Sequence, residues 1–401
     1  MQSKIRDTVA SCQNELITFL RKMIAIPSLS GQEEEIVHFI QKEMIRLGYD
    51  EVRIDGFGNC IGRLGSGSRT IALDGHCDTV GVGNPDGWTV DPFHGMLKNG
   101  IIFGRGAADQ KGGLASAIYA GHVLKQTTLP KNVSLYVVAS VLEENFEGIS
   151  WQHLIEKEKI VPHAIVLTEP TNLEIKIGQR GRMDIEIHVH GISCHGSAPE
   201  RGENAIYKAA PIIQDVEKLN NQLTSESRLG KGSITITDIR SVSPSLCAVA
   251  DHVTLHLDRR LTEGEELTSA VKEIQSLPSI IKVSANVSVP KPQITSFTGW
   301  SQIVEAYYPM WLMDEESPLI KTARRVFKDQ FEKKPQVGVW TFSTNGVLTK
   351  GIHQIPTFGF GPGEEIYAHS PQDQIRVQDL LKATEFYAAF INNWSKMQEE
   401  T

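Results

Sequence analysis

Five residues of the kind that bind divalent cations through nitrogen or oxygen are spread over almost all of this 401-residue chain. Each stands where a run of strand-forming residues gives way to glycine or proline. They are His76 in Leu-Asp-Gly-His-Cys-Asp, Asp109 in Gly-Arg-Gly-Ala-Ala-Asp, Glu144 in Glu-Glu-Asn-Phe-Glu-Gly, Glu169 in Thr-Glu-Pro and His369 in Gly-Pro-Gly-Glu-Glu-Ile-Tyr-Ala-His. For such residues to act together, the fold must gather strand ends from distant parts of the chain at one edge. A mostly parallel sheet does this, because its ligand crevice lies beyond the carboxyl ends of its strands. Five N/O ligands and no cysteine describe a site for two divalent cations with one carboxylate bridging. Zinc is the first choice and cobalt or manganese the alternatives.

The hydrophobic pattern agrees with that requirement. Apolar positions recur at three- and four-residue spacing over 5–24 and 31–47, and Ser30 with Glu33 reads as a capping box before the second helix. Strand-like runs at 70–74, 101–103, 133–141 and 164–168 are separated by helical patterns at 112–125 and 149–159. That alternation predicts an α/β fold with a largely parallel sheet covered on both faces.

From 183 the order becomes strand 183–190, helix 203–219, strands 233–240 and 249–257, helix 263–276 and strand 281–289, which is the β-α-β-β-α-β of a ferredoxin-like unit. Ligand-type residues flank this unit on both sides, so it reads as an insertion. The expected division is a catalytic, metal-binding domain of residues 1–180 with 293–401, and an inserted domain of 181–292. The first would resume near Gly299 with helix 317–333, strands 336–340 and 355–358, and a final helix 376–396.

Composition narrows the function. Lys and Arg number 40 against 48 Asp and Glu, a formal charge of -8, with no basic block to neutralise a phosphate backbone, so nucleic acid is not an expected partner. No run approaches the roughly 18–20 apolar residues of a membrane span. The charged N-terminal segment lacks the apolar core of a signal peptide. Five cysteines without a C-x-x-C pair fit a reducing compartment, and a cytoplasmic location is expected. The glycine-rich segments at 104–109 and 359–363 match neither G-x-G-x-x-G nor a P-loop, so no nucleotide site is expected.

Chemical roles follow from the local patterns. Asp109 sits in a tight turn ahead of a helix, and its two oxygens make it the candidate bridge. His76 and Asp78 share one face of an extended segment, so His76 can bind metal while Asp78 holds a ligand or orients the catalytic base. Adjacent carboxylates Glu143 and Glu144 suggest a proton shuttle beside a ligand. His188 and His190 also share a strand face, but on the inserted unit they read as solvent-facing. His195 follows that strand in a turn and can project from it.

Taken together, these segments resemble the dinuclear zinc amidohydrolases that include acetylornithine deacetylase, succinyl-diaminopimelate desuccinylase, aminoacylase and the carboxypeptidase G type of peptidase. The resemblance runs from about residue 10 to 395. Within the family it is most similar to a bacterial subgroup of selenium-metabolism-linked hydrolases, a name that describes gene company and not a reaction. The resemblance implies that His76, Asp109 and Glu169 hold one zinc and Asp109, Glu144 and His369 the other. It implies that Glu143 is the general base and acid, that Asp78 supports His76 from behind, and that the Asp109–Gln110 peptide is cis.

It further implies that the inserted domain is a lid that pairs two chains, with His195 reaching the partner's site to hold the developing oxyanion. Arg260, in Asp258-Arg-Arg260, would bind a substrate carboxylate, with Asn204 and Asn345 as further substrate contacts. Two positions depart from the family: Cys247 and Ala250 stand where many relatives carry Asn and Pro. The segment from Trp340 to Gly346 replaces a Gly-Gly-Thr-Asp-like stretch.

The expected activity is hydrolysis of an amide bond in an N-acyl amino acid, deacetylase- or deacylase-like, by water activated at two divalent ions. The alternatives are a di- or tripeptidase and a carbamoyl-amide hydrolase. A binding protein that has kept the metals and lost turnover is a reading of a different class, and intact Glu143, Glu144 and ligand positions argue against it.

Overall fold

The computed structural model describes residues 2–223 and 227–396. Its centre is a nine-stranded mixed sheet. Across the sheet the strands run Glu51–Ile54, Cys60–Leu64, Val133–Ser140, Arg69–His76, Ala164–Leu167, Thr357–Gly359, Ile175–Gln179 and Trp311–Leu312, with Val337–Trp340 also paired to Ile175–Gln179. The middle is parallel: Arg69–His76 pairs in parallel with Val133–Ser140 and with Ala164–Leu167, and Ala164–Leu167 with Thr357–Gly359. The Ala-Ile-Val-Leu run of Ala164–Leu167 is buried throughout, as a strand covered on both faces must be.

The register aligns the site. His76 lies opposite Ser140, Asp74 opposite Leu167, and Leu167 opposite Gly359. The chain therefore leaves four strands at one edge of the sheet, where the loops carrying residues 77–78, 141–148, 168–172 and 360–369 begin. Helix Gly112–Gln126 packs beneath this edge and is apolar and buried nearly all round. Its first turn needs glycine, since a Cβ on Gly113 would run into the Thr168 carbonyl.

Residues 181–288 build a second sheet with its own apolar core. Strands Ser233–Val242, His252–Leu261, Gly181–His190 and Asn286–Ser288 lie side by side in that order, all antiparallel. Alternation sorts the side chains: Met183, Ile185, Ile187 and Val189 enter a core with residues of helices Ala205–Gln222 and Leu267–Gln275, while Arg182 to His190 at even positions face away. The two-residue strand Tyr307–Tyr308 also joins Gly181–His190.

Three local expectations differ. Strand 101–103 forms, but in a small separate sheet with Met96–Lys98 and Gln374–Arg376, not in the parallel core. Residues 281–283 belong to a short helix, Pro278–Val283, because Pro278 at its first turn starts a helix where the apolar run alone looks extended. The Ser30–Glu33 capping box does not form: the helix begins at Glu34 with no side-chain cap, and both side chains are used elsewhere.

Candidate metal centre

His76 ends its strand at 1% exposure, and its ring orientation is set by its own turn. Nδ1 lies 2.9 Å from the Asp78 carbonyl, which fixes the N–H there and leaves the lone pair on Nε2. Nε2 faces Asp109 Oδ1 at 3.1 Å, Glu143 Oε2 at 3.7 Å and Glu169 Oε1 at 3.8 Å. His369 Nε2 lies 3.3 Å from Asp109 Oδ2 and 2.9 Å from Glu144 Oε2. Asp109 thus turns one oxygen to each histidine.

The Asp109 turn is built for this. Gly106 takes the left-handed conformation (φ 89°), and the Asp109–Gln110 peptide is cis. Buried Asp373 accepts hydrogen bonds from Gly106 N at 2.7 Å and Ala108 N at 2.8 Å and pairs with Arg105 at 3.1 Å, anchoring the loop from the far end of the chain. Sequence reasoning passed over Asp373, which has no local pattern to mark it.

The Asp78 carboxylate has a second task. Its oxygens accept from Glu143 N at 3.2 Å, Glu144 N at 3.1 Å and Ser30 Oγ at 2.7 Å, so it clamps the turn that presents both glutamates. Glu33 completes the clamp, accepting from Leu142 N at 3.0 Å and Gly31 N at 2.9 Å. Leu142 sits at φ 61°, a strained value for a branched side chain, and the bond from its amide helps hold it. Ser30 and Glu33, which read as a helix cap, instead hold this turn.

The electrostatics call for cations. Burial raises the pKa of Glu143 and of Glu169 well above the ordinary range, His76 opposes this, and neighbouring carboxylates add to it. Burial also works against ionised Asp109, but His369 and His76 overcome it and hold the group below the usual aspartate value. Hydrogen bonds to Asp109 and Glu144 push His369 up to about 10. Glu143 Oε1 and Glu169 Oε2 are buried without a hydrogen-bond partner. Four buried carboxylates held against two histidines, with orphaned oxygens among them, fit two divalent ions. Two overlapping groups, His76 with Asp109 and Glu144 and His76 with Glu143 and Glu169, each converge closely enough to hold an ion, and because both draw on His76 Nε2 they are alternatives at that histidine.

Above these residues opens a cavity of about 360 Å³, whose walls include Glu147, Arg182, Arg260, Phe342 and His369. Arg260 is therefore brought to the site, where it makes a two-pronged bond to Asp258 at 2.8 and 3.1 Å. Three other expected contacts lie elsewhere. His195 stands on the second unit, exposed, with Nδ1 bonded to Ser197 N at 3.1 Å, away from this chain's own cavity. Asn204 caps helix Ala205–Gln222 through Ile206 N at 2.9 Å. Asn345 is 2% exposed and bonded to Gly148 N, Asp74 and Ser140. His188 and His190 line the helix-free face of the second sheet, where His252 comes within 3.4 Å of His190. Glu147 and Arg182 are cavity residues that the sequence reading did not single out.

Comparison with known proteins agrees with this geometry. The model of peptidase family M20/M25/M40 matches residues 72–393. Over 382 residues, 95% of each chain, this one is 44% identical to a relative named only "Uncharacterized protein YgeY" in Escherichia coli (strain K12). It is 25% identical to a probable succinyl-diaminopimelate desuccinylase of Staphylococcus epidermidis, over 95% of this chain and 97% of that one. The di-peptidase Dug1p of Saccharomyces cerevisiae shares the fold, with a TM-score of 0.76 at 15% identity over 100% of this chain and 99% of that one. A mainly parallel sheet, a two-cation carboxylate–histidine cluster and a family match across four fifths of the chain agree: this is a metal-dependent amide hydrolase that belongs to peptidase family M20/M25/M40.

Proposed function

We propose that this chain cleaves the amide bond of an N-acyl amino acid, with zinc as the metal. The observation that carries the reading is the split of Asp109, one oxygen toward His76 and the other toward His369, with Glu143 buried beside them. His76, Asp109 and Glu169 would hold one ion and Asp109, Glu144 and His369 the second. Such a pair supplies a polarised amide carbonyl and a water acidic enough to lose a proton near neutral pH.

The chain's own groups do the rest. Glu143, fixed by the Asp78 clamp, takes the proton of the attacking water and returns it to the departing amine. Arg260 on the cavity wall offers a guanidinium to the substrate carboxylate. His195, exposed on the second unit and not on the wall of its own chain's cavity, would reach a partner's site and hold the developing oxyanion.

That role requires a dimer, and the second unit, residues 181–292, would be the lid and dimerisation domain. Strand Ser233–Val242 lies at a sheet edge, open to pairing with a second copy, and its last residue Val242 and the nearby Leu246 are exposed apolar residues. The cytoplasmic placement is proposed from the composition; among the described residues no helix is long and apolar enough to cross a membrane.

A second reading, a di- or tripeptidase, draws on buried Glu147 in the cavity wall, an acid that suits a free α-amine. Assaying the zinc-loaded protein on N-acetyl amino acids beside dipeptides separates the two. Preference for the acylated series supports the first reading, and cleavage of dipeptides alone overturns it.

A further inference from the structure

Arg182 and Arg260 lie directly opposite each other on neighbouring antiparallel strands, with both side chains on the wall of the metal cavity. Like charges in that position repel, and each guanidinium has an acid beside it, Asp258 for Arg260 and Glu147 for Arg182. The two are not equally free to bind a further anion. Arg260 has its Nε and Nη2 edge, the fork that suits a carboxylate, already closed on Asp258 at 2.8 and 3.1 Å. Arg182 gives only Nη1, to buried Glu147 at 2.9 Å.

Arg182 Nη2 stands 3.9 Å from Asp184, beyond hydrogen-bond reach, and is the donor left for a ligand, while Nε is buried from solvent without a hydrogen-bond partner among the described residues. The side chain is also stiffly mounted, with its guanidinium 4.7 Å over the Tyr308 ring and one end tied to Glu147. A cation with an unspent Nη2 donor, pre-oriented by a buried acid and an aromatic face, is a ready anion site.

We infer that Arg182 is the principal anchor of the substrate's terminal carboxylate, held in place by Glu147 and Tyr308, with Arg260 in the supporting role. This rests on the reading of the site as a hydrolase of amides that end in a carboxylate, a property N-acyl amino acids and dipeptides share. It also gives Glu147 a positioning role in place of an amine-binding one.

The test compares N-acetyl-L-methionine with N-acetyl-L-methioninamide, and L-alanyl-L-methionine with its amide, on zinc-loaded wild type, Arg182→Met, Arg182→Lys and Arg260→Met. Metal content and circular dichroism are measured on each protein. Charge-assisted bonds of this kind predict that Arg182→Met loses about 10- to 100-fold more kcat/KM on the free acids than on the amides. Arg182→Lys, which keeps the charge facing Glu147, should show the same loss of discrimination in milder form. Arg260→Met should lose less than Arg182→Met.

Equal loss on acids and amides would mark Arg182 as merely structural, and discrimination that survives Arg182→Met but not Arg260→Met would reverse the assignment. Should Arg182→Met fail to fold, retention of wild-type discrimination by Arg182→Lys overturns the proposal by itself. Failure of wild type to cleave any of the four compounds would count against the functional reading instead. Binding of the acid and amide of N-acetylmethionine to zinc-loaded Glu143→Gln, read by calorimetry with and without Arg182→Met, still decides the anchor.

Discussion

Asn345→Ala separates a substrate contact from a structural hub at the same residue. The side chain joins three segments beneath the turn that bears Glu143 and Glu144: Oδ1 accepts from Gly148 N at 2.7 Å, and Nδ2 donates to Asp74 Oδ2 at 2.8 Å and Ser140 Oγ at 3.2 Å. Alanine removes all three bonds in a dry interior, at about 1 kcal/mol each, and strips the Gly148 amide and the Asp74 carboxyl of these partners. The sum is roughly 3–5 kcal/mol. At about 2 °C per kcal/mol for a large domain, the melting temperature of the metal-loaded protein falls by roughly 6–10 °C. Releasing the Gly148 end also lets Glu143 drift, and a misplacement near 1 Å costs on the order of 100-fold in kcat. KM should change little, because Asn345 is 2% exposed and does not line the cavity. Differential scanning fluorimetry and steady-state kinetics on one cleaved amide read both effects. An unchanged melting temperature with KM raised as the main effect would refute the hub and restore the substrate contact expected from sequence.

Glu143→Ala should keep two metals per chain by elemental analysis and lose about three orders of magnitude or more in kcat, since acid and base functions go together; wild-type turnover would sink the mechanism. Asp109→Asn should bind fewer than two zinc ions per chain in equilibrium dialysis, and an unchanged stoichiometry would rule out the bridge. Burial, with the Asp78 charge behind it, pushes Glu33 up to about 7, so in metal-free protein its ionisation between the unfolded value near 4.5 and 7 destabilises the fold as pH rises. Glu33→Gln should therefore gain about 3 kcal/mol relative to wild type between pH 4 and pH 8 in urea unfolding, and a pH-independent difference would contradict this. Mixed dimers test His195: His195→Ala and Glu143→Ala proteins, each inactive alone, should recover activity when subunits exchange, and no recovery would place His195 outside the partner's site.

The metal-type residues were legible in the sequence because few side chains can bind a divalent ion, and because a parallel sheet delivers the ends of its strands to one edge. His76, Glu144 and Glu169 needed nothing more than strand polarity to be placed together. The residues that position them were not legible, and the reason is chemical. A carboxylate that accepts from backbone amides can come from anywhere in the chain and leaves no spacing behind, as Asp373 does for the Asp109 turn and Glu33 for Leu142. Worse, a short-range pattern can compete for the same residues: Ser30 and Glu33 satisfy the rule for a helix cap and spend their hydrogen bonds on the Glu143 turn instead. Arg182 lies between these cases. Alternation along Gly181–His190 settles which face it occupies, but only the pairing register with His252–Leu261 sets it beside Arg260 over the metal cavity. The arginine pair over the cavity thus depends on a strand pairing that no single segment encodes, whereas the metal-type residues are residue types that any segment can display.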